Sequence, residues 1–291
     1  MIKILAVGDF HGKLSGKIIS KIKGEKSDLI LSPGDFCGNK RLGKLFFKYF
    51  YSRSEEETVP EKIQREYRQL EKKANFSGKS VIKKLKSLNI PVYAIRGNWD
   101  PAPFGHDLSF KLTKEDKKEI KNFEKIETKD FKFVDFRELE FDEFILIGGV
   151  SSTSPQRLRK DVINTMIKKR NMPKKEASEY VFRLKKDWNF RQKNYDIMFE
   201  KAIKLKKQTG KKIIFLTHNC PYNTKLDKIK HGPQKGKHYG SYQERLIIRK
   251  YQPDIVICGH MHENFGVDKI GKSIIYNTGS AMDGKFITLN V

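Results

Sequence analysis

Five apolar runs in this 291-residue chain each stop at an Asp, Asn or His. Ile2–Val7 runs into Gly8-Asp9-Phe10-His11-Gly12, and Asp28–Leu31 into Gly34-Asp35-Phe36-Cys37-Gly38. Pro91–Ile95 leads to Gly97-Asn98-Trp99-Asp100, Lys211–Leu216 to Thr217-His218-Asn219-Cys220-Pro221, and Asp254–Ile257 to Gly259-His260-Met261-His262. A sixth polar stop, Asn277-Thr278-Gly279-Ser280, follows near the C-terminus. An unbroken apolar run needs cover on both faces, which is the condition of a parallel strand in an α/β protein. Loops that follow parallel strands gather along one sheet edge, where α/β folds bind their ligands. The pattern therefore constrains architecture and site together.

The elements between the stops support an α/β reading. Leu14–Ile22 has helical spacing, and residues 43–88 are long and mostly helical, with Ile63, Tyr67 and Leu70 on one face and Val81, Leu85 and Leu88 on another. Pro60 stands near a helix start. Phe131–Phe136 and Glu138–Phe141 read as a hairpin and Phe144–Gly149 as a further strand. Residues 155–210 form a Lys/Arg-rich helical block, amphipathic from Pro173 through Val181, Leu184, Trp188, Tyr195, Met198, Ala202 and Leu205. Helix Tyr242–Lys250 and a run of short strands complete the chain. No repeat, low-complexity tract or Gly/Ser linker interrupts it. A single domain over 1–291, with helical insertions over 43–88 and 155–210, is the economical reading, and a separate cap over 155–210 is the alternative.

A net charge of +25 suits an anionic substrate or partner, and equally a thermophile surface or a basic proteome. About half of that excess lies in 155–210. No apolar run approaches the roughly 18 residues of a membrane span. The N-terminal run is too short for a signal peptide and leads directly into Asp9 and His11, so the expected compartment is the cytoplasm. Three cysteines, Cys37, Cys220 and Cys258, make no CxxC pair and fit a reducing compartment as small packed side chains.

The five stops supply seven oxygen or imidazole donors, enough for two metal ions sharing one carboxylate. In extended backbone, residues two apart point the same way, so Asp9 and His11 face one ligand, with glycines on either side to turn the chain. Mixed carboxylate, amide and imidazole donors suit Mn, Fe, Zn, Co or Ni ions better than structural zinc or calcium. Of these we favour Mn.

In this combination and order the motifs resemble those of the calcineurin-like metallophosphoesterases, whose pattern is DxH, GDxxG, GNH(D/E), a lone strand-end His, and GHxH. The resemblance extends from Asp9 to His262. It implies a four-layer α/β/β/α sandwich with mixed sheets, and two divalent ions at one edge. By position, Asp9, His11 and His262 would hold the first ion, Asn98, His218 and His260 the second, and Asp35 would bridge. The implied reaction is phosphoester hydrolysis by hydroxide from the bridging position, with Asn98 helping to neutralise charge on the phosphate.

One position departs from the family pattern. Where most relatives place a histidine after Asn98, this chain has Trp99, and an indole cannot titrate near pH 7. His238 is the first choice to replace it, with His231 and His106 behind. Alternatively the leaving group needs no proton, or metal-bound water supplies it. Trp99 itself either packs under its loop or stacks on a nucleobase, and Arg96 either reaches the substrate phosphate or lies on the sheet edge. The aromatics Phe182, Trp188 and Phe190 among the basic residues of 155–210 read either as a nucleic-acid face or as the buried stripe of a solvated helix. The expected function is a metal-dependent phosphodiesterase on nucleotides or nucleic-acid ends. The alternatives are a phosphomonoesterase or protein phosphatase, and a weakly catalytic metal-binding scaffold for RNA or protein.

Overall fold

Side-chain alternation along the strands sorts the apolar runs into separate layers of core. The computed structural model describes residues 1–49, 59–103, 113–150, 163–164, 167–168 and 172–291. One sheet runs in the order β11-β1-β2-β3-β4, from strands Ile287–Asn290, Lys3–Ala6, Leu29–Ser32, Val92–Ala94 and Phe131–Phe133. All its neighbours are parallel except β11, which lies antiparallel to β1. The second sheet runs β5-β6-β7-β8-β10-β9, from Glu138–Glu140, Phe144–Gly148, Lys212–Leu216, Ile255–Cys258, Ser273–Asn277 and Gly266–Ile270. Here β6, β7, β8 and β10 are parallel, with an antiparallel strand at each end.

Ile4, Ala6, Leu29 and Leu31 of the first sheet meet Phe144, Leu146, Ile214, Leu216, Ile255 and Ile257 of the second, forming the core between the sheets. The intervening residues point outward. Leu5, Ile30 and Val92 pack beneath helices α1 (Gly16–Gly24), α3 (Glu61–Lys86) and α4 (Lys114–Glu124). Ile145, Ile213, Phe215 and Val256 pack beneath α5 (Lys174–Thr209) and α6 (Tyr242–Tyr251). The result is the expected α/β/β/α sandwich with two mixed sheets. Strands with a helix layer on one face and a second sheet on the other bury both sets of side chains, which is why they read as unbroken apolar runs.

Local signals set the helix ends. Ser15 caps α1, and Thr113 forms a reciprocal capping box with Asp116 at the start of α4. Pro60 stands at the N-terminus of α3, and Gly210 closes α5 in the left-handed conformation.

Two expectations need correction. Phe131–Phe133 and Glu138–Glu140 do not form a hairpin. The first pairs in parallel with β3 in one sheet, and the second pairs with β6 in the other, so residues 134–137 cross between sheets. Moreover, the helical stretches read as insertions include layer helices of the sandwich. Val81, Ile82 and Leu85 of α3 and Tyr195, Met198, Phe199 and Ala202 of α5 all belong to sheet-facing cores. Only the N-terminal part of α5 packs elsewhere, where Tyr180 and Leu184 meet Met172, Ile163 and Ile167.

Candidate metal centre

The stops after β1, β2 and β3 of one sheet converge with those after β7 and β8 of the other. Asp9, His11 and His262 form one cluster of potential ligands, and Asp35, His218 and His260 form a second. In the first, His262 Nε2 lies 3.0 Å from His11 Nε2 and 3.2 Å from Asp9 Oδ1. In the second, Asn98 Oδ1 lies 2.8 Å from His218 Nε2 and 2.9 Å from His260 Nδ1. Asp35 Oδ2 stands between the clusters, 3.6 Å from His11 Nε2 and 3.5 Å from His218 Nε2. The seven residues singled out in the sequence as ligands therefore share one site.

Backbone strain concentrates there. Asp9, His11, Asp35 and His260 all have left-handed φ values, between 42° and 68°. Such a conformation costs a non-glycine residue on the order of 1–3 kcal/mol and persists only where its surroundings impose it. Backbone bonds impose it here: Asp9 N–H donates to Gly34 O, and Phe10 and His11 N–H both donate to Asp35 O, each at 2.9 Å. Ser280 Oγ donates to Asp9 O (3.0 Å), and Asn277 Nδ2 donates to Met261 O (2.9 Å), which gives the sixth motif a positioning role. Gly97 and Gly259 leave room for the carboxylates, since a Cβ at either would collide with Asp35 or Asp9 respectively.

The donor chemistry fits divalent ions. His218 Nδ1 lies 2.8 Å from Pro33 O, an oxygen that can only accept, so this nitrogen carries the proton. His218 Nε2 then faces Asn98 Oδ1, an acceptor, and a cation shared by the two would satisfy that contact. Burial lowers His11 to about 4 and His260 to about 3, aided in both by neighbouring imidazoles, so both offer lone pairs at neutral pH. Burial raises the Asp9 carboxyl, but the His262 hydrogen bond and the surrounding imidazole charges outweigh it and hold Asp9 below its usual range. Asp35 is pushed well up by burial and by the charges of Asp100 and Asp9, a cost that cations at the site relieve.

Trp99 is half-buried. Its ring meets His11 edge-on at 6.4 Å and Phe46 of α2 (Lys40–Tyr49) at 6.2 Å, and its backbone N–H donates to Asp35 Oδ1 (2.9 Å). Thus the indole packs beneath α2 and walls the His11 side of the centre. Arg96 does not turn toward the ligands. It is buried, with Nη1 on Asp135 Oδ2 at 2.6 Å and its guanidinium 4.1 Å from the Phe133 ring, tying β3 to the crossover. His238 lies on the segment before α6, its Nδ1 2.7 Å from Oδ1 of buried Asp227. His231 is exposed at a loop tip, and His106 lies outside the described residues.

The family follows from the whole pattern. Residues 2–264 match the calcineurin-like phosphoesterase family, nearly the whole span that carries the motifs. The chain belongs to that family. Consistent with membership, this calcineurin-like phosphoesterase has two clusters of potential ligands for the family's divalent ions. Among curated proteins, MJ1162 of Methanocaldococcus jannaschii is 39% identical over 69 residues, which is 23% of this chain and 31% of that relative. Among solved structures, one crystal structure covers 99% of this chain and 94% of its own at 17% identity, with a TM-score of 0.58. TT1561 of Thermus thermophilus covers 99% of this chain and 98% of its own at 16% identity, with a TM-score of 0.45. Among the described residues no helix is long and apolar enough to cross a membrane.

Two further buried carboxylates brace the loops that carry the potential ligands. Asp100 accepts backbone N–H groups from Asp35 (2.8 Å), Cys37 (2.8 Å) and Gly97 (2.9 Å), joining the second and third ligand loops. Glu244 accepts from Thr217 Oγ1 (2.6 Å) behind His218, and burial lifts it to about 7. The position of Asp100 within its motif is a visible signal, but two of these three partners come from a loop more than sixty residues away in sequence.

Proposed function

We propose that this phosphoesterase is a phosphodiesterase acting on nucleotides or nucleic-acid ends, with Asp9, His11 and His262 holding one divalent ion, Asn98, His218 and His260 another, and Asp35 bridging. The observation that carries the assignment is the near-equal approach of Asp35 Oδ2 to His11 and His218, one from each cluster. Divalent ions held by these residues, Mn being favoured, would supply Lewis acidity and a water of lowered pKa. The chain's own residues do the rest. Asn98 orients toward the phosphate through its amide. His238, oriented at Nδ1 by Asp227, is the residue assigned to assist departure of the leaving oxygen. Trp99 contributes an apolar wall and no charge where the family has a histidine, which favours a monoanionic diester over a dianionic monoester.

The remaining assignments belong to the same reading. Ligands drawn from both sheets support one domain over 1–291. The outward face of α5, with Phe182 68% exposed, is a prospective nucleic-acid contact, although Trp188 faces Tyr242 of α6 at 6.2 Å and stays out of it. The cytoplasm fits the free thiols of Cys220 and Cys258, where Cys258 Sγ donates to Cys220 Sγ at 3.4 Å.

Protein loaded with Mn or Ni, assayed on a chromogenic diester and a chromogenic monoester beside Asp35→Ala and His238→Ala, tests the reading. Diester cleavage lost in Asp35→Ala and slowed in His238→Ala is the expected result. Cleavage of the monoester alone would establish a monoesterase, and metal binding without any turnover would establish a scaffold.

A further inference from the structure

A basic hairpin stands next to the centre. Antiparallel pairing joins Lys228 to His238, Ile229 N–H donates to Lys237 O (2.9 Å), and Tyr239 N–H donates to Asp227 O (2.9 Å). Gly232 and Gly236, at φ 77° and 85°, turn the chain at the tip, where Lys235 N–H closes on Gly232 O at 3.1 Å. Residues 228–238 hold Lys228, Lys230, Lys235, Lys237, His231 and His238 and no acidic residue. Among the described residues no carboxylate pairs with Lys228, Lys235 or Lys237, and all three are exposed. The hairpin is fastened to the segment that continues from His262. Asn264 Nδ2 donates to Lys228 O (2.8 Å), while Lys230 donates through N–H to Glu263 Oε1 (2.9 Å) and through Nζ to Glu263 O (2.6 Å). At its base, His238 is held by Asp227.

The arrangement is unneeded for a substrate with one phosphate. Two ions and Asn98 would suffice to neutralise the scissile group, and the hairpin spreads its lysines over roughly 13 Å from base to tip. Cations arrayed along a backbone ribbon and left without carboxylates match a substrate that brings further phosphates of its own. Resting on the hydrolase reading above, we propose that the hairpin 228–238 takes the phosphates flanking the scissile one, so that the substrate is a nucleic-acid strand rather than a mononucleotide diester. Lys235 and Lys237 are specificity-determining residues that act on strand binding, with no part in the reaction at phosphorus.

The test compares metal-loaded wild type with a Lys235→Ala/Lys237→Ala double variant on short single-stranded DNA and RNA and on a chromogenic diester, at several salt concentrations. Both lysines are exposed, so the variant keeps its fold. The expected result is an unchanged rate on the chromogenic diester and about a tenfold rise in KM for the strand. The log–log salt dependence of strand binding, read by fluorescence anisotropy, should flatten by about 1.4 for two lost phosphate contacts. Equal strand binding by wild type and variant overturns the role of the hairpin, whatever the turnover. An equal loss on both substrates also overturns it, because the lysines would then act at the common phosphate site. If wild type leaves the chromogenic diester and both strands intact, the hydrolase reading fails, and the hairpin ceases to be a substrate arm.

Discussion

A carboxylate buried under the Asn98 loop, that of Asp100, accepts three backbone N–H groups from two ligand loops. Burial raises its pKa, and the N–H bonds work against that rise. Beside Trp99, this carboxylate serves the backbone. Asp100→Asn should cost on the order of 2–4 kcal/mol in urea unfolding, because the new Nδ2 faces backbone donors and leaves buried N–H groups unmatched. Trp99→Phe, which keeps every backbone bond, should cost less. The same scale shows what was legible. Asp9, His11, Asp35, Asn98, His218, His260 and His262 could be named because they follow five strands, and local order alone puts them at an edge. The burial of Arg96 against Asp135 could not be, since its partner is 39 positions away and nothing near Arg96 indicates it.

At the scale of elements, α5 shows how far periodicity reaches. Its spacing identified a long amphipathic helix but not its two different partners. From Tyr195 to Ala202 it covers the second sheet, with Phe199 stacked on Tyr251 at 4.9 Å and edge-on to Phe215 at 5.2 Å. Phe182, nearer its N-terminus, is 68% exposed. Phe199→Ala should therefore destabilise by about 3–5 kcal/mol, while Phe182→Ala stays within about 0.5 kcal/mol, both read from chemical denaturation. The misread hairpin has the same origin. Alternation tells which faces of Phe131–Phe133 and Glu138–Glu140 are buried, but it carries no information on which strand lies alongside, and these two went to separate sheets.

Across the whole molecule, the potential ligands come from both sheets, so bound metal would tie the two halves of the sandwich together. Chelation should lower the melting temperature, since ligand at a thousand times its dissociation constant adds about 4 kcal/mol. In the metal-free protein the sign of the pH dependence follows from the histidines. His11 is depressed to about 4 by burial, so between 6.5 and 4 the unfolded chain takes up protons that the folded one refuses. The contribution of His11 is thus fully present above pH 6.5 and is lost as the pH drops toward 4. His262 is raised by Asp9 against its burial, and Asp35 is pushed well up by burial and by the charges of Asp100 and Asp9, so at both positions protons would compete with metal. Loading should release protons, measurable by calorimetry in buffers of different ionisation enthalpy.

The layered α/β architecture and the seven potential ligands were already written in the chain, because strand length, apolar cover and glycine turns are encoded within a few neighbouring residues. Other relations came into being only on folding: which strands share a sheet, the place of Asp35 between the two clusters, the bracing of two loops by Asp100, and the fastening of a basic hairpin beside His262. Each depends on contacts between residues far apart in sequence, formed when two sheets pack face to face, and no local pattern encodes them.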